Sequence, residues 1–396
     1  MKIVALFHPK IKLFVDGRKE TFSVLKNKIN RDDKVIWIHV ASLGEFEQGL
    51  PIIEKLKTEY PSHKILITFF SPSGYEVKKN TNAADCVVYL PMDTKANAKE
   101  FISTINPILA IFVKYEIWPN ILNVLKENET PTLLISAIFR KNQVFFKWYG
   151  AIMKKALKTF DHFFVQDENS VTLIQNINLK NVTLSGDTRF DRVSEILKRD
   201  NSLKFMEQFK ATEPCFVAGS TWPEDEEIIV AFVNESSKSI KYVIAPHNIK
   251  TDHIQSLKKS ISKKVLLYSE IEKKDPSLYE VIIIDTIGLL TKIYSYADFT
   301  YVGGAFATGL HNTLEPAVFG APIIIGPNYK GFNEAENLVT KKGLLVIKTL
   351  EEFTSVLNNL CENQEFSKRT GLINSSFVKE NMGASIQIMA HIRRLL

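Results

Sequence analysis

At 396 residues the chain is too long for one ordinary core and suits two domains of roughly 150–200 residues. With 45% apolar and 24% charged residues it has ample material to bury, which excludes a disordered chain. A net charge of +6 is too modest for this length to signal nucleic acid. The three cysteines, Cys86, Cys215 and Cys361, are too scattered for a disulfide framework or a Cys-rich zinc site and point to a reducing compartment.

The opening "MKIVALFHPKIKLFVDGRK" alternates Lys with apolar residues, and its longest apolar run, Ile3 to Phe7, is too short for a secretory signal. It reads as a cytoplasmic start. No stretch reaches the ~18 apolar residues of a spanning helix. Short β-rich runs then alternate with helical stretches, the pattern of parallel sheets with crossover helices. In the first half they are Val35–Ala41, Lys64–Phe69, Val87–Tyr89, Ile108–Val113, Thr132–Ser136, His162–Val165 and Val182–Gly186. A polar, weakly patterned stretch, 192–214, contains the expected linker. The second half continues with Cys215–Ser220, Tyr242–Ala245, Val265–Tyr268, Val281–Asp285, Phe299–Val302, Pro322–Gly326 and Leu344–Val346. A helical tail from about 367 is expected to pack back across the junction. The fold class is therefore α/β, two Rossmann-like doubly wound parallel sheets. Ligands of such sheets bind outside the carboxyl ends of strands, so chemistry is expected on strand-end loops lining a central cleft.

The first such loop is Ser42-Leu43-Gly44. It turns the chain and sets Glu45 in the first turn of a helix, where a carboxylate is favoured in its ionised form. Glu45 either stabilises the helix or serves as a general base. Glu47, about 200° further round, faces elsewhere and is expected to be solvated. After the strand ending at Val113, Glu116 stands between apolar residues and must be paired or functional. Trp118 reads as core, with Pro119 starting a helix. Residues 138–160 interleave Phe139, Val144, Phe145, Phe146, Trp148, Tyr149 and Ile152 with Arg140, Lys141, Lys147, Lys154, Lys155 and Lys158. That describes an anionic membrane face or an ordinary crossover helix with one basic side. Arg189, near the junction, suits bidentate capture of a carboxylate or phosphate.

In the second half, Ser220 and Thr221 are caps or phosphate donors before an acidic helix, and His247 sits at a strand end with a structural or a donor role. The richest segment is "YVGGAFATGLHNTLEPAVFGAPIIIGP", 301–327. Gly303 and Gly304 let backbone approach a ligand, and a helix expected near His311-Asn312-Thr313 offers N–H groups to a phosphate. Glu315 either takes ribose hydroxyls or completes a capping box with Asn312. No Walker A, H-E-x-x-H or Asp-x-Asp metal motif is present, and no metal or cofactor is expected.

These loops together resemble one family, the 3-deoxy-D-manno-oct-2-ulosonic acid (Kdo) transferases of lipid A biosynthesis. "HVASLGE" is similar to its H-x-x-S-x-G-E, "EIWPN" to E-L-W-P-N, "GSTWPEDEE" to S-T-H-x-x-E-E, and "VGG…HNTLEPA" to V-G-G…G-H-N-x-L-E-P-A. The resemblance runs in family order from residue 39 to 317. It implies a GT-B fold and metal-independent, inverting transfer of Kdo from CMP-Kdo to a lipid A precursor, lipid IVA, in lipopolysaccharide biosynthesis. It also implies a peripheral position on the cytoplasmic face of the bacterial inner membrane.

By the same resemblance, residues 1–195 bind acceptor, 196–370 bind the CMP-sugar, and 371–396 form the returning helix. Glu45 is the base, with Glu116 supporting it or facing the acceptor, and Ser42, Gly44 and Arg189 lie on the acceptor and junction side. Ser220, Thr221, His247, Gly303, Gly304, His311, Asn312 and Glu315 hold the donor. Three departures stand out: Lys114 replaces an acid common before E-L-W-P-N, "APHN" lacks the Arg that often precedes its His, and the apolar N-terminal segment is short. The rival readings are a UDP-sugar-dependent GT-B transferase or epimerase and a non-catalytic two-lobed binding protein.

Overall fold

The computed structural model describes residues 9–307 and 309–396. The Ile3 to Phe7 run and Thr308 of the glycine-rich loop lie outside them. The chain forms two compact units. One runs to Arg192 and regains Asn381–Leu396; the other is Val193–Glu380. The division into 1–195, 196–370 and 371–396 read from the sequence thus shifts. The first boundary falls inside the helix Thr188–Ile196 and the second at the end of the helix Gln364–Glu380.

Among the described residues, each unit is built on seven parallel strands. The first contains β1 (Val35–Val40), β2 (Lys64–Phe69), β3 (Cys86–Tyr89), β4 (Pro107–Val113), β5 (Thr132–Ala137), β6 (His162–Val165) and β7 (Val182–Leu184), in the order β3-β2-β1-β4-β5-β6-β7. The second contains β8 (Cys215–Thr221), β9 (Lys241–Pro246), β10 (Val265–Leu267), β11 (Val281–Ile283), β12 (Phe299–Val302), β13 (Ile323–Ile325) and β14 (Leu344–Val346), in the order β10-β11-β9-β8-β12-β13-β14. Central strands are buried on both faces, so they read as continuous apolar runs rather than alternating ones. In β1, Val35 and Trp37 enter one core with Phe101, Phe112 and Phe163, while Ile36, Ile38 and Val40 enter the other with Ile53, Leu56 and Ile111. Ile388, Met389 and Ile392 of the helix Ala384–Ile392 complete that second core, which is why the C-terminus belongs to the first unit.

Both orders contain a topological switch, a place where neighbouring strands send their connections in opposite directions. It lies between β1 and β4 in the first unit and between β8 and β12 in the second. Loops at the carboxyl ends of such a pair diverge and leave a crevice for a ligand.

Candidate active site

In the first unit the switch carries two carboxylates, Glu45 after β1 and Glu116 after β4. Ser42 is the N-cap of the helix Leu43–Glu59, with extended backbone, but its side chain makes no cap bond to the helix backbone. The Oγ instead donates to Glu45 Oε2. The serine that would ordinarily satisfy a backbone N–H here orients an acid. Glu45 is only 7% exposed, and among the described residues it has no cationic partner, so its second oxygen is left to accept a proton. Gly44 sits between them in the first turn.

Glu47 points away, as the helical spacing requires, yet it is not simply solvated. Lys78 Nζ lies 3.2 Å and Arg192 Nη2 2.6 Å from its oxygens, so it ties neighbouring helices together.

Glu116 is paired. Its Oε2 accepts from Trp118 Nε1 at 3.2 Å and lies 3.4 Å from Nε2 of fully buried His39. His39 Nδ1 in turn contacts Thr68 Oγ1 at 2.8 Å, and Thr68 also accepts from Trp37 Nε1 at 2.9 Å. Trp118 packs half-buried against the core as the N-cap before Pro119. Tyr115 links the two acids electrostatically. Burial raises its phenol pKa first, and the charges of Glu45 and then Glu116 raise it further. Tyr115 was not singled out by sequence, because a tyrosine beside a turn carries no distinctive spacing; His39 entered only as the first residue of the H-x-x-S-x-G-E resemblance, without a role of its own.

Arg189 is already engaged: its Nε and Nη2 each lie 2.8 Å from Asp187 Oδ2, and Asp187 also receives Gln48 Nε2 at 3.4 Å. The carboxylate it grips is therefore one of the chain's own.

In the second unit, Ser220, next to last in β8, has a left-handed φ of 54°, and Thr221, which closes the strand, is buried, its Oγ1 donating to Glu226 Oε1 at 2.8 Å. Glu226 also faces His253 Nε2 at 3.1 Å, and burial raises its pKa. Asp225, which the sequence reading passed over, organises the switch. Its carboxylate accepts from Trp222 N (2.9 Å), Gly304 N (2.8 Å) and Tyr301 Oη (2.6 Å), joining the ends of β8 and β12. The acid three residues after an N-cap was the available signal.

A Cβ on Gly303 would stand 2.4 Å from Ser220 O, and one on Gly304, at φ 95°, would stand 2.2 Å from Gly309 O. Both loops therefore need glycine for close approach. The helix expected near His311 begins later, at Leu314, because Asn312 Oδ1 caps Leu314 N (3.1 Å) and the His311 N–H goes back to Gly303 O (3.1 Å). Glu315 accepts Asn312 Nδ2 at 3.1 Å and Thr291 Oγ1 at 2.7 Å; the reciprocal backbone capping box does not form. His247 stacks on Trp222 and on His311, with ring centroids 4.8 and 4.6 Å apart.

Residues 138–160 divide. Phe139 and Phe145 are core and Val144 and Phe146 pack against it, whereas Trp148 is 94% and Ile152 75% exposed, with Tyr149, Arg140, Lys141, Lys155 and Lys158 also outward. Among the described residues no helix is long and apolar enough to cross a membrane.

Two Rossmann-like units, each with polar strand-end loops at its switch, define a GT-B protein of the glycosyltransferase and sugar-nucleotide epimerase type. A UDP-GlcNAc 2-epimerase from Neisseria meningitidis, solved with UDP-GlcNAc, shares this fold with TM-score 0.64 at 15% identity, covering 91% of this chain and all of that one. Sequence narrows the class. Residues 16–192 match the 3-Deoxy-D-manno-octulosonic-acid transferase (kdotransferase) family. The chain is also 29% identical to a 3-deoxy-D-manno-octulosonic acid transferase of Aquifex aeolicus, over 85% of this chain and 88% of that protein. It is 28% identical to the enzyme of that name from Haemophilus influenzae, over 88% and 84%. Over most of its length the chain is thus similar to Kdo transferases, and these relatives indicate a glycosyltransferase.

Proposed function

We propose that this protein transfers Kdo from CMP-Kdo to a lipid A precursor, lipid IVA, by a metal-independent inverting displacement. The observation that carries the reading is Glu45, a nearly buried acid with no cationic partner among the described residues, held by Ser42 at the first unit's switch point. Its free carboxylate oxygen takes the proton of an acceptor sugar hydroxyl. The hydroxyl oxygen bonds to the anomeric carbon of Kdo while the bond to the CMP phosphate breaks, and CMP leaves with the electron pair. Glu116, braced by Trp118 and His39, orients the acceptor. The donor nucleotide belongs to the second unit, where Gly303 and Gly304 allow close backbone approach and Ser220, Thr221, His247, His311, Asn312 and Glu315 supply polar groups. The similarity to 3-deoxy-D-manno-octulosonic acid transferases supports the transferred sugar.

The acceptor is a lipid, and exposed Trp148, Tyr149 and Ile152 among basic residues suit an anionic membrane surface. We assign the protein to the cytoplasmic face of the bacterial inner membrane on that basis. The test is incubation with freshly generated CMP-Kdo and lipid IVA in the presence of EDTA, with the product weighed by mass spectrometry. Product gains the mass of one or more Kdo units. Glu45→Gln lowers turnover by about 10²–10⁴-fold, the range for loss of a general base, and leaves CMP binding intact. Unchanged turnover in Glu45→Gln, or stabilisation by UDP and not CMP, rejects the proposal.

A further inference from the structure

Trp222 and His311 come from opposite sides of the second unit's switch point, one directly after β8 and the other in the loop after β12. They meet edge to edge: Trp222 Nε1 lies 2.9 Å from His311 Nε2. An indole nitrogen only donates, so His311 Nε2 must be the acceptor, and in a neutral imidazole the single proton then sits on Nδ1. His247 stacks across both rings, at 16° to Trp222 and 29° to His311, and so covers the bond from one side. The backbone fixes the remaining freedom. His311 N–H is bonded to Gly303 O, and the Cδ2 edge of the ring lies 2.8 Å from where a Cβ on Gly304 would stand. The Nε2–Cδ2 edge therefore faces the Trp222 and Gly304 side, and the Nδ1–H is on the opposite edge. Among the described residues that Nδ1–H has no hydrogen-bond partner. Burial, and secondarily His247, lowers the His311 pKa to about 4, which keeps the ring neutral near pH 7.

We propose that Trp222 is a positioning residue: it locks His311 in the Nδ1–H tautomer, so that the loop after β12 presents a fixed neutral donor to an anionic phosphate oxygen of the bound nucleotide. The inference deepens the reading of the second unit as the CMP-sugar site and rests on it for the identity of the ligand. The tautomer itself stands on the geometry alone. A fixed donor costs no reorganisation when charge grows on the leaving phosphate, which is the useful property in a displacement that expels CMP.

The test separates the two claims. In full-length protein labelled with ¹⁵N-histidine, long-range proton–nitrogen correlation at pH 7 identifies the His311 tautomer directly. The wild type shows Nδ1–H, and Trp222→Phe, which keeps an aromatic ring but removes the donor, shifts His311 toward Nε2–H. Calorimetric titration with CMP then shows an affinity about tenfold weaker in Trp222→Phe, the order of one hydrogen bond. In a His311→Ala background the same substitution has no further effect, because its action passes through His311. An Nε2–H tautomer in the wild type, an identical tautomer in Trp222→Phe, or an undiminished effect of Trp222→Phe in the His311→Ala background overturns the proposal. Loss of the Nδ1–H tautomer in Trp222→Phe, in a protein that binds UDP but no CMP, upholds the positioning role and overturns the nucleotide assignment instead.

Discussion

Asp225 shows how much one side chain can organise. Fully buried at the start of the helix Pro223–Glu235, it takes three hydrogen bonds, from Trp222 N, Gly304 N and Tyr301 Oη. Donors of this kind, at a helix N-terminus, are what make a buried carboxylate tolerable. The same arrangement makes its removal costly. Asp225→Ala leaves all three donors without this acceptor and is expected to destabilise the second unit, at about 1–3 kcal/mol for each donor that stays buried and unpaired. Asp225→Asn keeps shape and one acceptor and costs about 1–3 kcal/mol. Urea unfolding followed by tryptophan fluorescence measures both, since Trp222 reports on the second unit while Trp37, Trp118 and Trp148 lie in the first. Nearly equal midpoints for Asp225→Ala and wild type would remove Asp225 from this central place. If the second unit holds the nucleotide, CMP affinity is expected to fall with stability in this series, because the residue that is lost is the one pinning Gly304.

At the level of elements, the helix Ala384–Ile392 meets the first sheet through a pair of histidines. The rings of His162 on β6 and His391 on the helix are 4.6 Å apart, and His162 Nε2 also contacts Thr183 Oγ1 at 2.9 Å. Burial lowers the His162 pKa to about 4, with His391 and then Arg394 adding to it; His391 is lowered by burial and Arg394, against Asp161. In the unfolded chain both titrate near 6.5. Between about pH 6.5 and 4 the unfolded chain therefore binds protons that the folded one refuses, and stability falls as pH falls through this window. Docking of the helix is expected to weaken from pH 7 to 5, seen as faster amide exchange in residues 384–392, and His391→Gln to flatten that dependence. The effect is moderated by solvent at the half-exposed His162. Equal pH dependence in His391→Gln would show that the pair does not govern docking.

The pair joins elements far apart in sequence, and this explains what could be read in advance and what could not. All fourteen strands are legible, because parallel strands buried on both faces write their position as local apolar runs. The placement of Glu45 is legible for a similar reason: strand, turn and first helical turn are contiguous. Local spacing also put Glu47 on another face, but its partners Lys78 and Arg192 come from other helices, so its ion pairs were invisible. Likewise Trp222 and His311 are 89 residues apart. The aromatic cluster of residues 138–160 could not be sorted by composition either: Phe139 is core and Trp148 is surface because of the turn between them.

For the molecule as a whole, the chain route matters most. The second unit, Val193–Glu380, is an insertion between two pieces of the first, and each unit has buried apolar clusters of its own. Units with cores of their own can melt separately, and the route adds the condition that the first unit needs its last sixteen residues, Asn381–Leu396, to close. Calorimetry is therefore expected to resolve two transitions. If the second unit holds the nucleotide, CMP at about a hundred times its dissociation constant stabilises that transition by about 2.7 kcal/mol and leaves the other in place. A stop codon at position 381 should lower the other transition instead, since it strips Ile388, Met389 and Ile392 from the first core, at about 1.5–3 kcal/mol for each side chain. A single transition that CMP moves as a whole would mean that the units are energetically coupled. Separate shifts would place nucleotide binding and C-terminal closure in different units of the chain.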